Sequence, residues 1–308
     1  MLGSEEILRL SSGLKGIAGD LWQSVEFSIE VNPDDASVEK ALAWQSCGIN
    51  RFSVGTQSFN PEELRRIGRR HSPQRAIEAV SLLSHYGDVS LDLIIGLPHQ
   101  DMESFRYSVA QALKLNPDHI SAYILELEEG SALTKLYNKG AISLPDEDLT
   151  AQMYIYLCNQ LATNGYLQYE ISNFAKPGHP SRHNSSYWEG TPYIGLGASA
   201  SSYDGARQRR MNVADIHKYI ADPNASEIEQ LSDEELREEY LLTRLRRTLQ
   251  GISLEDYALR FGTAERDRLM QAALPYLSQS LLIVTDNHLR FSGVEGYLRE
   301  DAILATVV

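Results

Sequence analysis

The sequence predicts an α/β fold with parallel strands in its first two thirds and a helical C-terminal part. Three observations carry this. Short apolar runs alternate with amphipathic helical stretches as far as about residue 175. One run, Ser90 to Leu97, is apolar on both faces except at Asp92, as in a parallel strand buried under helices. After about Tyr203 the alternation gives way to helices and one hairpin. Strand–helix units at this spacing imply right-handed crossovers, either in a doubly wound sheet or in a barrel.

Taken in order, Val25-Phe27-Ile29-Val31 reads as the first strand, stopped by Asn32-Pro33. A helix follows from Ser37, with Val38, Ala41, Leu42 and Trp44 apolar, and ends at Gly48. Arg51 to Thr56 is the second strand; helices around Pro61–Ile67 and Pro73–His85 follow, the latter stopped by Gly87. After the Ser90–Leu97 strand, Phe105, Val109, Ala112 and Leu113 keep i, i+4, i+7, i+8 spacing. Ile120 to Leu127 is the fourth strand. Asp148 or Thr150 opens a helix carrying Met153, Tyr156, Leu157 and Leu161, and Tyr169 to Phe174 is the fifth strand.

Beyond Tyr203, Asp204–Arg210 is turn-rich and basic, and Ile216–Ile220 fits a short helix. Ser232-Asp233-Glu234-Glu235 is a helix start with acidic residues in its first turn, running through Tyr240, Leu241, Leu245 and Leu249 to Gly251. Ser253 caps Leu254–Phe261, and a third helix spans roughly Ala264–Tyr276. Leu281–Thr285 and His288–Ser292 pair across Asp286-Asn287, and a last helix covers Glu295–Leu304. Helices followed by a small hairpin resemble a winged-helix module. From Leu231 to Val308 there are nine arginines, no lysine and thirteen acidic residues, a net of −4, whereas a DNA reader carries a basic face. This part reads as a scaffold or lid. The expected division is 1–205, a barrel, and 206–308, a helical accessory domain.

Composition narrows the class. A net charge of −14 makes the bulk surface repel nucleic acid and anionic lipid. No apolar stretch approaches a membrane span, and Met1-Leu2-Gly3-Ser4-Glu5-Glu6 lacks the basic start and apolar core of a secretory signal. Cys47 and Cys158 each fall within a helical pattern, as reduced thiols of a cytoplasmic protein do, and cannot make a metal site by themselves.

Glycine-rich phosphate loops, paired-cysteine or H-E-x-x-H zinc spacings and a nucleophile elbow are all absent. What remains is polar. Glu30, Gln57 and Asp92 interrupt apolar sequence at or near the C-terminal halves of strands. In a barrel those positions face the mouth where substrates bind; in a doubly wound sheet they point under helices, where an unpaired carboxylate is costly. The barrel is favoured. Singly, each could instead be a strand-end side chain bonded to a neighbouring amide. Arg69-Arg70-His71 is either a carboxylate clamp at that mouth or the solvated end of a helix. With the carboxylates it suits a zwitterionic nucleoside better than a phosphorylated one. His183-Asn184-Ser185-Ser186-Tyr187-Trp188 falls in a loop before Gly195-Leu196-Gly197. Its imidazole among aromatic planes is either an axial ligand for a flat metal-containing group such as haem or one ordinary surface histidine.

The ordered segments Ile29-Glu30-Val31-Asn32-Pro33, Ser53-Val54-Gly55-Thr56-Gln57-Ser58-Phe59, Gly68-Arg69-Arg70-His71-Ser72 and Asp92-Leu93-Ile94-Ile95-Gly96-Leu97-Pro98 resemble radical S-adenosylmethionine (SAM) enzymes. The likeness is to the oxygen-independent coproporphyrinogen III oxidase family. It continues through Ile120–Tyr123, Glu128-Glu129-Gly130 and Tyr169–Ala175, and His183-Asn184-x-x-Tyr187-Trp188 points to the haem-chaperone branch, HemW. The resemblance implies an incomplete (β/α)6 barrel, its first strands missing, with a C-terminal accessory domain. It implies SAM contacts at Glu30, Gln57, Arg69, Asp92 and, for the adenine region, Ile94. It implies haem contacts at His183, as iron ligand, with Tyr187 and Trp188 beside it. The function implied is haem or porphyrin binding and delivery to client proteins. The alternatives are oxidative decarboxylation of coproporphyrinogen III by a full-length form, and a pseudoenzyme that keeps only protein contacts.

The sequence departs from the family in two places. Members begin with a strand, a C-x-x-x-C-x-x-C loop holding a [4Fe–4S] cluster and a Gly-Gly-Gly-Thr-Pro strand end, whereas Met1–Glu6 aligns with the helix after those glycines. Cys47 and Cys158 match neither position nor spacing, so the chain as it stands is expected not to cleave SAM, and no catalytic residue is assigned. Members also commonly carry His at the position of Ser201. With the first strands missing, the Phe27–Val31 strand is expected to be an open edge prone to self-association.

Overall fold

The alternation becomes a six-stranded sheet in the computed structural model, which describes residues 3–308; Met1 and Leu2, the first residues of the expected barrel, lie outside them. The elements of the first unit, which extends to Ser181, are α1 (Ser4–Ala18), β1 (Ser28–Val31), α2 (Val38–Ser46), β2 (Arg51–Gln57), α3 (Pro61–Arg66), α4 (Pro73–Leu83), β3 (Asp88–Ile95), α5 (Met102–Leu115), β4 (His119–Ile124), α6 (Ala132–Asn138), α7 (Glu147–Thr163), β5 (Leu167–Glu170) and β6 (Asn173–Ala175). Strand order is β1-β2-β3-β4-β6-β5. Strands β1 to β4 are parallel, and β1 is an edge.

Helix starts follow the side-chain chemistry of the sequence. Ser37, Ser72 and Asp146 each accept a backbone N–H from the first turn of the helix they open, and Asp101 forms a capping box with Ser104. The strands alternate as a period of two requires. Phe52, Val54, Leu91, Leu93 and Ile95 are buried on one face, with Ala79, Val80 and Leu83 of α4 and Met153 and Leu157 of α7 also fully buried. The other face carries Glu30, Ser53, Gly55, Ser90, Asp92, Ser121 and Asn173, brought side by side by the register Glu30–Ser53–Ser90 and Asp92–Ser121–Asn173. A strand read as apolar on both faces is therefore two-sided, with hydroxyls and a carboxylate inward.

The expected fifth strand, Tyr169–Phe174, is corrected to a hairpin. β5 and β6 pair antiparallel, with Glu170 opposite Asn173, and β6 runs antiparallel to β4. The chain therefore returns to the N-terminal ends of the parallel strands. There residues 176–181 lie beneath them: Lys176 N–H donates to the Asp118 carbonyl, His179 Nδ1 is 2.9 Å from Asp88 Oδ2, and Arg51 donates to the His179 carbonyl. Asp88, Asp118 and His179 could offer three ligand atoms to a cation. The Arg51 guanidinium, 3.9 Å from Asp88, already supplies positive charge there.

The second unit is Arg182–Val308. Its elements are α8 (Arg182–Trp188), β7 (Ser201–Tyr203), β8 (Gln208–Asn212), α9 (Ile216–Ala221), β9 (Ser226–Gln230), α10 (Asp233–Leu245), β10 (Ile252–Ser253), α11 (Leu254–Phe261), α12 (Thr263–Ser278), β11 (Leu282–Thr285), β12 (His288–Phe291), α13 (Val294–Tyr297) and α14 (Glu300–Val307). The division falls at Ser181/Arg182, not at 205/206. The reason is pairing: Ser201–Tyr203 joins β8 and β9 in an antiparallel sheet instead of extending the large one. Strands β10, β12 and β11 form a second small sheet, so α10-β10-α11-α12-β11-β12 follows winged-helix order. Asp286 and Asn287 both have positive φ, as a two-residue hairpin turn requires. Among the described residues no helix is long and apolar enough to cross a membrane.

Candidate functional site

The inward polar face of the large sheet gathers the residues singled out on its strands. β2 ends in a tight reversal. Ser58 N–H donates to the Thr56 carbonyl at 2.8 Å, closing a γ-turn on Gln57, whose φ is 64°. Such a φ strains a residue with a Cβ. The turn brings the Gln57 amide over Gly55: a Cβ there would lie 3.0 Å from Gln57 Nε2 and 3.8 and 3.9 Å from the two terminal nitrogens of Arg69. Glycine at 55 leaves room for the Gln57 amide at this close approach, while Arg69 lies at ordinary contact distance. Arg69 arrives by its own turn, Gly68 at φ 74° and Arg69 N–H bonded to the Leu64 carbonyl.

Asp92 sits on the next strand, close enough to Arg69 for its charge to act on the carboxyl. Burial pushes its carboxyl up to about 6; Glu30 adds to the rise, while bonds from Ser121 and Ser53 and the charge of Arg69 oppose it. Ile94, two residues on, shares its face and lies opposite Tyr123. Burial, and after it the charges of Asp92 and Glu170, raise the Tyr123 phenol, whereas bonds with Ser121 and Asn173 lower it. Of the cluster Arg69-Arg70-His71, only Arg69 reaches this site. Arg70 is exposed, and His71 is buried with Nε2 3.2 Å from the Thr56 carbonyl; burial chiefly lowers its pKa. The cluster is thus a return into the sheet, not a solvated helix end. Ser53, Ser121, Tyr123 and Asn173 escaped the sequence reading. The signal was the period of two around Asp92 and Gly55, which places them on one face.

His183, Tyr187 and Trp188 lie in the second unit. The expected loop is corrected to a helix, α8. Gly190, at φ 60°, ends it, with Thr191 N–H donating to the Ser186 carbonyl and Gly190 N–H to that of Tyr187. Arg244 donates to the carbonyls of Trp188 and Glu189 at the same end. Helical spacing puts His183 and Tyr187 on one side, ring centroids 4.9 Å apart and perpendicular. Tyr187 meets Tyr193 at 5.0 Å, and Tyr193 meets Tyr203 at 6.3 Å. His183 and Tyr187 are exposed; Trp188 is half-buried under the Arg246 guanidinium, 5.0 Å from its ring. Gly195 is required where it stands, because a Cβ would collide with the Ser201 backbone.

Neither thiol suits an iron–sulfur cluster. Cys47 closes α2 and Cys158 lies within α7; both are buried, and burial pushes the Cys158 thiol up to about 12. Cluster ligands are thiolates converging from one loop.

The Radical SAM superfamily model matches residues 5–112 and the HemN C-terminal domain model residues 231–293. The chain is 34% identical over 290 residues to "Heme chaperone HemW" of Bacillus subtilis (strain 168), covering 92% of this chain and 76% of that protein. It is 35% identical over 289 residues to the protein of that name from Lactococcus lactis subsp. lactis (strain IL1403), covering 92% and 75%. Coproporphyrinogen III oxidase (HemN) from Escherichia coli shares the fold, with a TM-score of 0.80 at 20% identity over 99% of this chain and 74% of that one. With this fold, these two domain matches and relatives at this identity over most of its length, the chain belongs to the HemW/HemN-like family of radical SAM proteins.

Proposed function

We propose that this HemW-like protein binds haem at His183 and SAM at the polar face of its large sheet, and delivers haem to client proteins in the cytoplasm. The observation that carries the haem assignment is the exposed imidazole of His183 set edge-on to Tyr187 on α8. An imidazole offers haem iron an axial ligand, and aromatic rings beside it cover the macrocycle. Trp188, stacked under Arg246, serves by fixing α8. The relatives named as heme chaperones support the same reading.

For SAM, the donor set matches a zwitterion. Arg69 would pair with the carboxylate, Glu30 and Asp92 with the α-amino group or ribose hydroxyls, Gln57 would contribute its amide and Ile94 an apolar contact for the base. When bound to a cluster, SAM supplies a radical. The two thiols present, both buried, do not suit such a cluster.

Haem titration is the test. The wild-type chain should give a Soret shift that His183→Ala abolishes; identical spectra for the two proteins would reject the assignment. Calorimetry with SAM tests the other site independently: Arg69→Ala should weaken binding about tenfold, the order expected for a lost charge-assisted pair. An unchanged affinity would remove Arg69 from the site.

A further inference from the structure

A cavity of about 150 Å³ lies in the second unit beside Tyr187, walled by Tyr187, Tyr193 and Tyr240 and edged by Arg209, Arg244, Arg260 and Glu239. Three cations around one small space stand out in a chain of net charge −14. Arg209 is answered by Glu239 at 2.5 Å. Arg244 lies against Tyr240, 5.1 Å from its ring, with the Glu189 carboxylate near enough to act on it, and Arg260 lies 5.6 Å from the same ring. Arg244 donates to backbone carbonyls of Trp188 and Glu189, and among the described residues no carboxylate pairs with Arg260. Arg247 lies close enough to Arg244 for like-charge repulsion to act on it. With three arginines against the single carboxylate of Glu239 on its walls, the space is electropositive and aromatic-walled.

We infer that this cavity takes a carboxylate arm of the tetrapyrrole whose iron sits at His183, an inference that rests on the haem assignment above. Tyr187 connects the two places, because its ring packs edge-on to the His183 ring and it also lines the cavity. A planar ligand centred on His183 extends its periphery past Tyr187, and peripheral carboxylates then meet Arg260 and Arg244. Guanidinium forks match carboxylates in planar, two-point contacts, and Arg260 is held in place by stacking on the Tyr240 and Phe261 rings. The ligand class selected is a metalloporphyrin with free carboxylate side chains.

The experiment compares haem with haem dimethyl ester, each titrated into the full chain and into Arg260→Gln and Arg268→Gln. Arg260 is exposed, so its loss leaves the fold intact. Arg268 lines the neighbouring groove and pairs with Glu265, and controls for the general loss of one charge. Arg260→Gln should weaken haem binding about tenfold with the Soret position unchanged. The ester should bind wild type and Arg260→Gln equally weakly, and Arg268→Gln should bind haem as wild type does. Equal haem affinity in wild type and Arg260→Gln, or an ester bound as tightly as haem, overturns the inference while leaving His183 ligation standing. A wild-type chain without any Soret shift removes the haem site and this subsite together.

Discussion

Asp92→Asn should stabilise the protein at pH 7.5, by up to about 3 kcal/mol. The carboxyl is raised from 3.8 to about 6, chiefly by burial and then by Glu30, against bonds from Ser121 and Ser53 and the charge of Arg69. At ~1.36 kcal/mol per pKa unit the ionised form is disfavoured by roughly 3 kcal/mol in the folded state. The sign follows from linkage. Between pH 4 and 6 the folded protein holds this proton and the unfolded chain releases it, so stability falls as pH rises through that window and is level above it. Asparagine keeps an acceptor for Ser53 and Ser121 without the charge. Urea unfolding of both proteins from pH 4 to pH 8 checks this: the difference should be near zero at pH 4 and largest by pH 7. A difference that does not change with pH, or a variant less stable at pH 7.5, would disprove it. The fold thus tolerates a carboxylate that its own burial disfavours.

Arg51→Ala should cost about 3 kcal/mol, measured by the same unfolding. The Arg51 side chain is 5% exposed, 3.6 Å from Glu26 and 3.9 Å from Asp88, and donates twice to the His179 carbonyl. Asp88 is 43% exposed, so water screens that pair and it contributes little. The larger loss comes from Glu26, 13% exposed, and from a carbonyl stripped of its donors. Removing one partner of a buried pair leaves an uncompensated charge, which is worse than never having had the pair. The loss also frees the return segment 176–181 from β2. A change below 1 kcal/mol would show that this network is incidental.

Much of the first unit was legible because several helices announce themselves twice, by apolar spacing and by a capping side chain such as Ser37, Ser72 or Asp101, whereas α1 has no side-chain cap and α6 escaped the sequence reading. Leu254–Phe261 fell at the expected residues for the same reason, with Ser253 as its cap. The β5–β6 hairpin was hidden because its bend, Ile171-Ser172, has no Gly, Pro, Asn or Asp to mark it. α8 was hidden because His183, Asn184, Ser185 and Ser186 are poor helix formers. Arg244, 56 residues away, holds its end, and such tertiary support leaves no trace in a local window. β9 has a single apolar residue, Ile228, so its alternation carried no signal. The last helix breaks between Tyr297 and Glu300 although its apolar spacing is continuous. At the site, the residues that interrupt apolar strands were visible, whereas Ser121 and Asn173 look ordinary until the register sets them beside Asp92.

The reversal at Gln57 separates two demands that most positions merge. A backbone at φ 64° is easier for glycine than for any residue with a side chain, by about 1 kcal/mol or more. Folding by itself would therefore place glycine at the tip of β2, next to the Gly55 that is already there. A side-chain amide at that position comes at a conformational cost that glycine would spare the fold.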